Sequence, residues 1–111
     1  MTFDVVALCE QQPDAGSTLA ALQACGPALR VGMIERGSLV QLRDDRDRPL
    51  VTIEGPRLVQ APGEVERVLG VPVAGPVWWV EARAVPEGAE VARRFAAALL
   101  SQTGGASWSS R

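Results

Sequence analysis

Five stretches of the chain have the pattern of β-strands. The first is a short run rich in β-branched residues, and the others largely place apolar side chains at every second position. The predicted strands are 3–8, 29–33, 39–42, 50–54 and 77–84, with a turn at 36–38 and a short edge strand at 56–60 left open. Three of these strands follow one another directly, which predicts an antiparallel meander.

Three further segments have apolar residues at helical spacing: 15–25, 63–69 and 86–102. Asp14 or Ser17 can cap the first helix. The last segment is the strongest of the three, since Val91, Phe95 and Leu99 fall on one face of it.

The order of these elements indicates an α+β fold. It predicts a single domain over residues 1–103, built on a mainly antiparallel sheet of about five strands with the helices packed on one face. Residues 104–111 are expected to form a flexible C-terminal tail, except where Trp108 finds a groove. The opposite face of the sheet would then lack cover from the same chain.

Two adjacent tryptophans stand in the last predicted strand. Neighbouring side chains of a strand point to opposite faces, so Trp78 is expected under the helices, while Trp79, Glu81 and Arg83 share the other face. Three alternatives follow for Trp79: cover by loops or by Trp108 of its own chain, association with a protein, or an aromatic ligand site.

Composition narrows the classes of partner. The 111 residues include 13 acidic and 11 basic side chains, giving a net charge of -2 with no stripe of one sign, so nucleic acid is not expected as a partner. No apolar run reaches the roughly 18 residues of a membrane span, so membrane insertion is not expected. The first residues lack the basic start of a secretory signal, which predicts a cytoplasmic protein.

Catalytic and metal-binding motifs are not visible in the sequence. The chain has no histidine, which removes the commonest general base and the commonest transition-metal ligand. It also has no nucleophile elbow and no phosphate-binding glycine loop. Cys9 and Cys25 lack the spacing of a zinc or redox motif and are expected to be buried free thiols, with a disulfide as the alternative if their Cα atoms come within about 7 Å. We therefore expect no enzyme, no metal site and no cofactor.

The acidic run at 44–48 is the one cluster that could attract a cation. Arg46 and Arg48 alternate with its aspartates and would repel a metal ion, so a solvated hairpin loop is expected instead.

Several of these stretches also resemble a known family. The segments DVVAL, GPALRV, RPLVTIEGPRLVQAPGEVERVLG, PVWWVEARA and GGASW are similar to the N-terminal part of an uncharacterised actinobacterial family of the Streptomyces type, associated with type VII secretion loci. The resemblance implies a cytoplasmic accessory role beside a secretion system and supplies no functional residues. The order of elements is also similar to that of small dimeric secretion chaperones, apart from the leading strand.

These observations predict a non-catalytic protein-binding module, self-associating and chaperone-like, that works as a homodimer or with a protein partner. Its contact residues would be Trp79, Glu81 and Arg83, and Trp79→Glu would abolish association without unfolding the chain. The alternatives are an immunity-type partner of a secreted toxin, with the 44–48 loop as part of the contact, and a small ligand-binding domain or enzyme.

Overall fold

Six strands form one antiparallel sheet in the computed structural model, which describes residues 2–34 and 39–110. The order across the sheet is β2-β3-β4-β5-β1-β6. The strands are β1 (Phe3–Cys9), β2 (Arg30–Ile34), β3 (Leu39–Arg43), β4 (Pro49–Val59), β5 (Val77–Ala84) and β6 (Gly105–Ser109). Strands β2 and β6 therefore form the two edges within the described chain.

Three α-helices accompany the sheet: α1 (Ala15–Gln23), α2 (Glu64–Leu69) and α3 (Ala89–Thr103), the last preceded by a 3₁₀ turn at Pro86–Gly88. Helix α1 begins with a capping box. The Ser17 backbone N–H donates to Asp14 Oδ1 at 2.7 Å, and the Asp14 N–H donates to Ser17 Oγ at 2.9 Å. This exchange satisfies two backbone donors at the start of the helix.

The main core lies between one face of the sheet and helices α1 and α3. Phe95 and Leu99 of α3 are fully buried, as the spacing of that helix predicts. They meet the side chains of β1, β3, β4 and β5 that point to the same face, such as Leu42 and Val51. Trp78 is partly buried and packs against this core. The Cα radius of gyration of 13.4 Å matches the value of about 13 Å expected for a compact domain of this length.

A second, smaller cluster occupies one end of the opposite face. Val65 of α2 is buried there with Trp79 of β5, and Leu69 packs against them. The α+β class, the single domain and the antiparallel sheet are confirmed. The helices, however, are not all on one face, because the apolar residues Val65 and Leu69 of α2 pack in the cluster of Trp79 on the opposite face.

Other boundaries differ from the sequence predictions. Residues 56–59 do not form a separate strand but continue β4, which pairs with β5 across a register shift between Glu54 and Arg57. Residues 105–109, predicted as part of a flexible tail, form β6 and pair with β1. The turn predicted at 36–38 lies outside the described residues. None of the helices in the described ranges has the length and hydrophobicity needed to cross a membrane.

The capping box gives a pH-dependent prediction. Hydrogen bonds from the backbone and hydroxyl of Ser17 lower the pKa of Asp14 from its ordinary value of 3.8. A carboxylate with a lowered folded-state pKa stabilises the fold above its unfolded-state pKa, and this stabilisation is lost as pH falls through the folded-state value. Asp14→Ala should therefore lower the midpoint of thermal unfolding, and the difference in midpoint from the unmodified protein should be largest at about pH 6. This difference in midpoint should become smaller as the pH falls below 3.8. A difference in midpoint that stays constant with pH would contradict this role of the charge.

Candidate protein-interaction site

Trp79 is covered by its own chain. Only 8% of its surface is exposed, and it packs with residues from β1, α2 and the start of β5. The partly buried neighbours include Trp108 of β6 and two valines of the 70–76 loop. The buried members of this second cluster are Val6, Leu8, Val65, Val77 and Trp79. The structure thus agrees with the first of the three alternatives for Trp79, and Trp79→Glu is now expected to unfold the protein.

Glu81 and Arg83 extend from Trp79 along the same face of β5. The Trp79 indole Nε1–H donates to Glu81 Oε1 at 3.2 Å, and Arg83 Nη2 donates to Glu81 Oε2 at 3.2 Å. Arg83 Nε also donates to Asp4 Oδ1 of the neighbouring strand β1 at 3.3 Å. The buried indole therefore holds one oxygen of Glu81, while the guanidinium of Arg83 holds the other.

Arg57 packs against the ring of Trp79. The Arg57 guanidinium carbon lies 5.4 Å from the centre of the Trp79 ring, within the range of a cation–π contact. Arg57, Glu54, Trp79 and Glu81 surround a depression of about 330 Å³ at the register shift in β4. Its lining has two carboxylates and one guanidinium, and none of its residues has a nucleophilic hydroxyl or thiol.

The apolar cover over Trp79 ends at Glu54 and Glu81, which pair across β4 and β5. Beyond them the side chains are mostly polar and partly or fully exposed, with Thr52 opposite Arg83 and Gln41 opposite Thr52, and the half-buried Leu39 lies opposite Glu54. We call this surface the open face and define it by Gln41, Thr52, Glu54, Glu81 and Arg83. It covers three adjacent strands, and its side chains alternate in charge along β5.

The acidic loop at 44–48 binds its own arginines. Asp44 Oδ1 accepts from the N–H groups of Arg46 and Arg48 at 2.9 Å, and its Oδ2 accepts from Arg48 Nε at 2.8 Å. These hydrogen bonds, the Arg48 backbone foremost, lower the pKa of Asp44. Asp47 pairs with Arg43 at 3.3 Å. Within the described residues no group of acidic, cysteine or histidine side chains could hold a metal ion. Residues 44–48 connect β3 and β4 as a hairpin loop, as the sequence predicts.

The two thiols are buried and free, which confirms the prediction for Cys9 and Cys25. Burial raises the pKa of both, although a hydrogen bond with Thr103 at Cys9 and the charge of Arg94 near Cys25 act in the opposite direction. Thiols with a raised pKa are poor nucleophiles at neutral pH, so their place in the core is structural.

A cleft of about 410 Å³ lies between the 72–76 loop and β6. Leu8, Val73, Val77 and Ala106 contribute to its walls, and Glu10 is the one ionisable residue among its described lining residues. The sequence does not predict this cleft, because one wall of the cleft belongs to β6, which is itself not predicted. The apolar residues of 71–77 are the one feature of the sequence that indicates an apolar surface here.

Comparison of the chain with protein-family models, curated proteins and solved structures finds no match. The family resemblance and the role beside a secretion system therefore stay predictions.

Proposed function

We propose that this protein is a non-catalytic protein-binding module that self-associates through the open face of its sheet. The observation that supports this proposal is the row formed by Glu81 and Arg83 with Glu54 beside it, which presents both signs of charge on a partly exposed face of the sheet. Trp79 supports this surface indirectly, because its indole N–H donates to the Glu81 carboxylate and holds it in position.

The charges of the open face are self-complementary. In a two-fold dimer the same patch is used on both copies, so residue i of one copy meets residue j of the other and the reverse. A two-fold axis lying in the interface between the positions of Glu81 and Arg83 places each glutamate opposite the arginine of the second copy. A face with only one sign of charge would repel its copy instead.

The alternatives draw less support from the geometry. A toxin-neutralising role through the 44–48 loop would rest on Asp45, which is exposed, because Asp44 and Asp47 are paired with Arg48 and Arg43. A small-ligand role would use the cleft beside β6. Native mass spectrometry showing a stoichiometric small-molecule adduct would favour that role over self-association.

A charge-reversal pair tests the proposal. Arg83→Glu leaves only acidic side chains at positions 81 and 83, and Glu81→Arg leaves only basic ones. Each variant alone should associate about tenfold or more weakly than the unmodified protein, because like charges then meet across the interface. An equimolar mixture of the two variants should recover the dimer, measured by sedimentation velocity.

The matched control is Arg46→Glu, which makes the same change of charge on an exposed residue of the hairpin loop. It should leave association unchanged. The ion pairs lost in Arg83→Glu involve exposed side chains and contribute about 1 kcal/mol or less each, so that variant should remain folded. Glu81→Arg also removes the acceptor of the Trp79 indole N–H, at a cost of about 1–3 kcal/mol, so circular dichroism of this variant accompanies the measurement. If the mixture stays monomeric while the unmodified protein is a dimer, the dimer uses another surface.

A further inference from the structure

The apolar rows of the main core continue to the open edge of the sheet at β2. One row crosses from Val51 through Leu42 to Val31, and the next from Ile53 through Val40 to Met33. Val51 and Leu42 are fully buried, whereas Val31 is 54% exposed and Met33 is 72% exposed. The core therefore ends on two apolar side chains that no described residue covers fully.

Helix α1 adds a wall beside these side chains. Leu19 is 55% exposed, and it lines a groove of about 310 Å³ together with Leu22, Leu29 and Val31. The groove lies on the same side of the sheet as the helices, so a chain placed alongside β2 would find apolar surface under every second side chain.

The other side of β2 is positively charged. Arg30 is exposed and has no ion-pair partner among the residues that the structure describes. It stands opposite Arg43 of β3, whose guanidinium already pairs with Asp47 at 3.3 Å and donates to Gln41 Oε1 at 2.9 Å. A neighbouring strand would therefore meet apolar side chains on one side and the positive charge of Arg30 on the other.

We propose that the edge of β2 binds an extended peptide segment of another protein, in which apolar residues alternate with acidic ones. The segment would add a strand to the sheet through the unpaired backbone groups of β2. Its apolar side chains would cover Val31 and Met33, and a carboxylate would pair with Arg30. The apolar groove lies on the opposite side of the sheet from the open face, and the backbone edge of β2 is not part of that face, so the proposal does not depend on self-association.

Charge complementarity distinguishes this occupant from a second copy of the chain. Two copies paired antiparallel about Gly32 would match Val31 with Met33, but they would bring two Arg30 side chains, which have no ion-pair partner among the described residues, to one face of the joined edge. An acidic segment neutralises those charges instead of doubling them.

Three labelled ten-residue peptides test the proposal by fluorescence anisotropy: one alternates valine with glutamate, one valine with lysine, and one serine with glutamate. The valine–glutamate peptide should bind at least tenfold more tightly than either of the others. Met33→Asp should weaken its binding at least tenfold, because the substitution places a charge in the apolar row. Arg30→Glu should weaken it as well and should strengthen binding of the valine–lysine peptide, whereas Arg46→Glu should change neither.

Backbone methylation tests whether the peptide forms a strand. Methyl groups on the nitrogens of all valines, or of all glutamates, block alternate N–H groups, and only one set faces β2. One methylated peptide should therefore lose binding while the other keeps it. The proposal is overturned if no peptide binds, if the valine–lysine peptide binds as tightly, or if both methylated peptides bind like the parent. It is also overturned if Met33→Asp converts a dimer into a monomer, because the occupant is then a second copy.

Discussion

Replacing Trp79 with alanine is expected to lower the free energy of unfolding by about 3–5 kcal/mol, the range found for large aromatic residues deleted from cores. The ring is the largest member of the second cluster, and its loss would leave Val65 and Leu8 facing a cavity. The Glu81 carboxylate would also lose the indole donor. Urea denaturation followed by far-ultraviolet circular dichroism measures this change.

Trp78→Ala is the matched comparison, because it removes the same side chain from the adjacent position. Trp78 is only partly buried, so its removal should cost less than the removal of Trp79. Trp79→Phe keeps most of the ring and should cost less still. If Trp79→Ala costs under about 1 kcal/mol, as exposed positions do, then the second cluster does not cover the indole in solution.

Gly105→Ala is expected to detach β6 from the sheet. Gly105 has a φ of +124°, a conformation that residues with a side chain rarely adopt. A Cβ atom at this position would overlap the backbone carbonyl oxygen of Leu8 in β1. Because backbone cannot move aside as a side chain does, the substitution should cost about 2–4 kcal/mol and increase hydrogen exchange along β6.

Gly75→Ala is the control for this substitution. It adds the same methyl group in a loop where no atom lies within 4 Å of the new Cβ. We expect a change in stability within about 0.5 kcal/mol. Equal stability of the two variants would mean that β6 is not held against β1 as the structure has it.

The elements that sequence predicts well are those with a local signal. Helix α3 has a stripe of apolar residues at its own spacing, and β5 alternates as its register requires, so both follow from periodicity. For β4 the sequence predicts too early an end, because Gly55 and Pro56 are typical of a chain turn. Pairing with β5 carries the strand past them through a register shift, which is a tertiary effect.

Strand β6 could not be predicted from its own residues. It is short and contains glycine and small polar residues, which rank low as strand formers. It exists because its backbone pairs with β1 at the other end of the chain. Because β1 and β6 are about 100 residues apart, the residues of β6 carry no local pattern that would indicate this pairing.

The candidate site shows the same limit. Alternation places Trp79, Glu81 and Arg83 on one face of β5, as the structure has them. The burial of Trp79 depends on α2, the 70–76 loop and Trp108 arriving over the same spot, and no spacing within β5 contains that information. The contact surface proposed here is consequently shifted along β5, away from the indole and toward the two charged residues.

The molar mass of the unmodified protein in solution tests the proposed self-association most directly. Light scattering behind a sizing column should give twice 11.8 kDa at high concentration and a decline toward 11.8 kDa on dilution. High salt should favour the monomer, since the proposed contact is between charged side chains. A mass of 11.8 kDa at every concentration would contradict self-association through the open face.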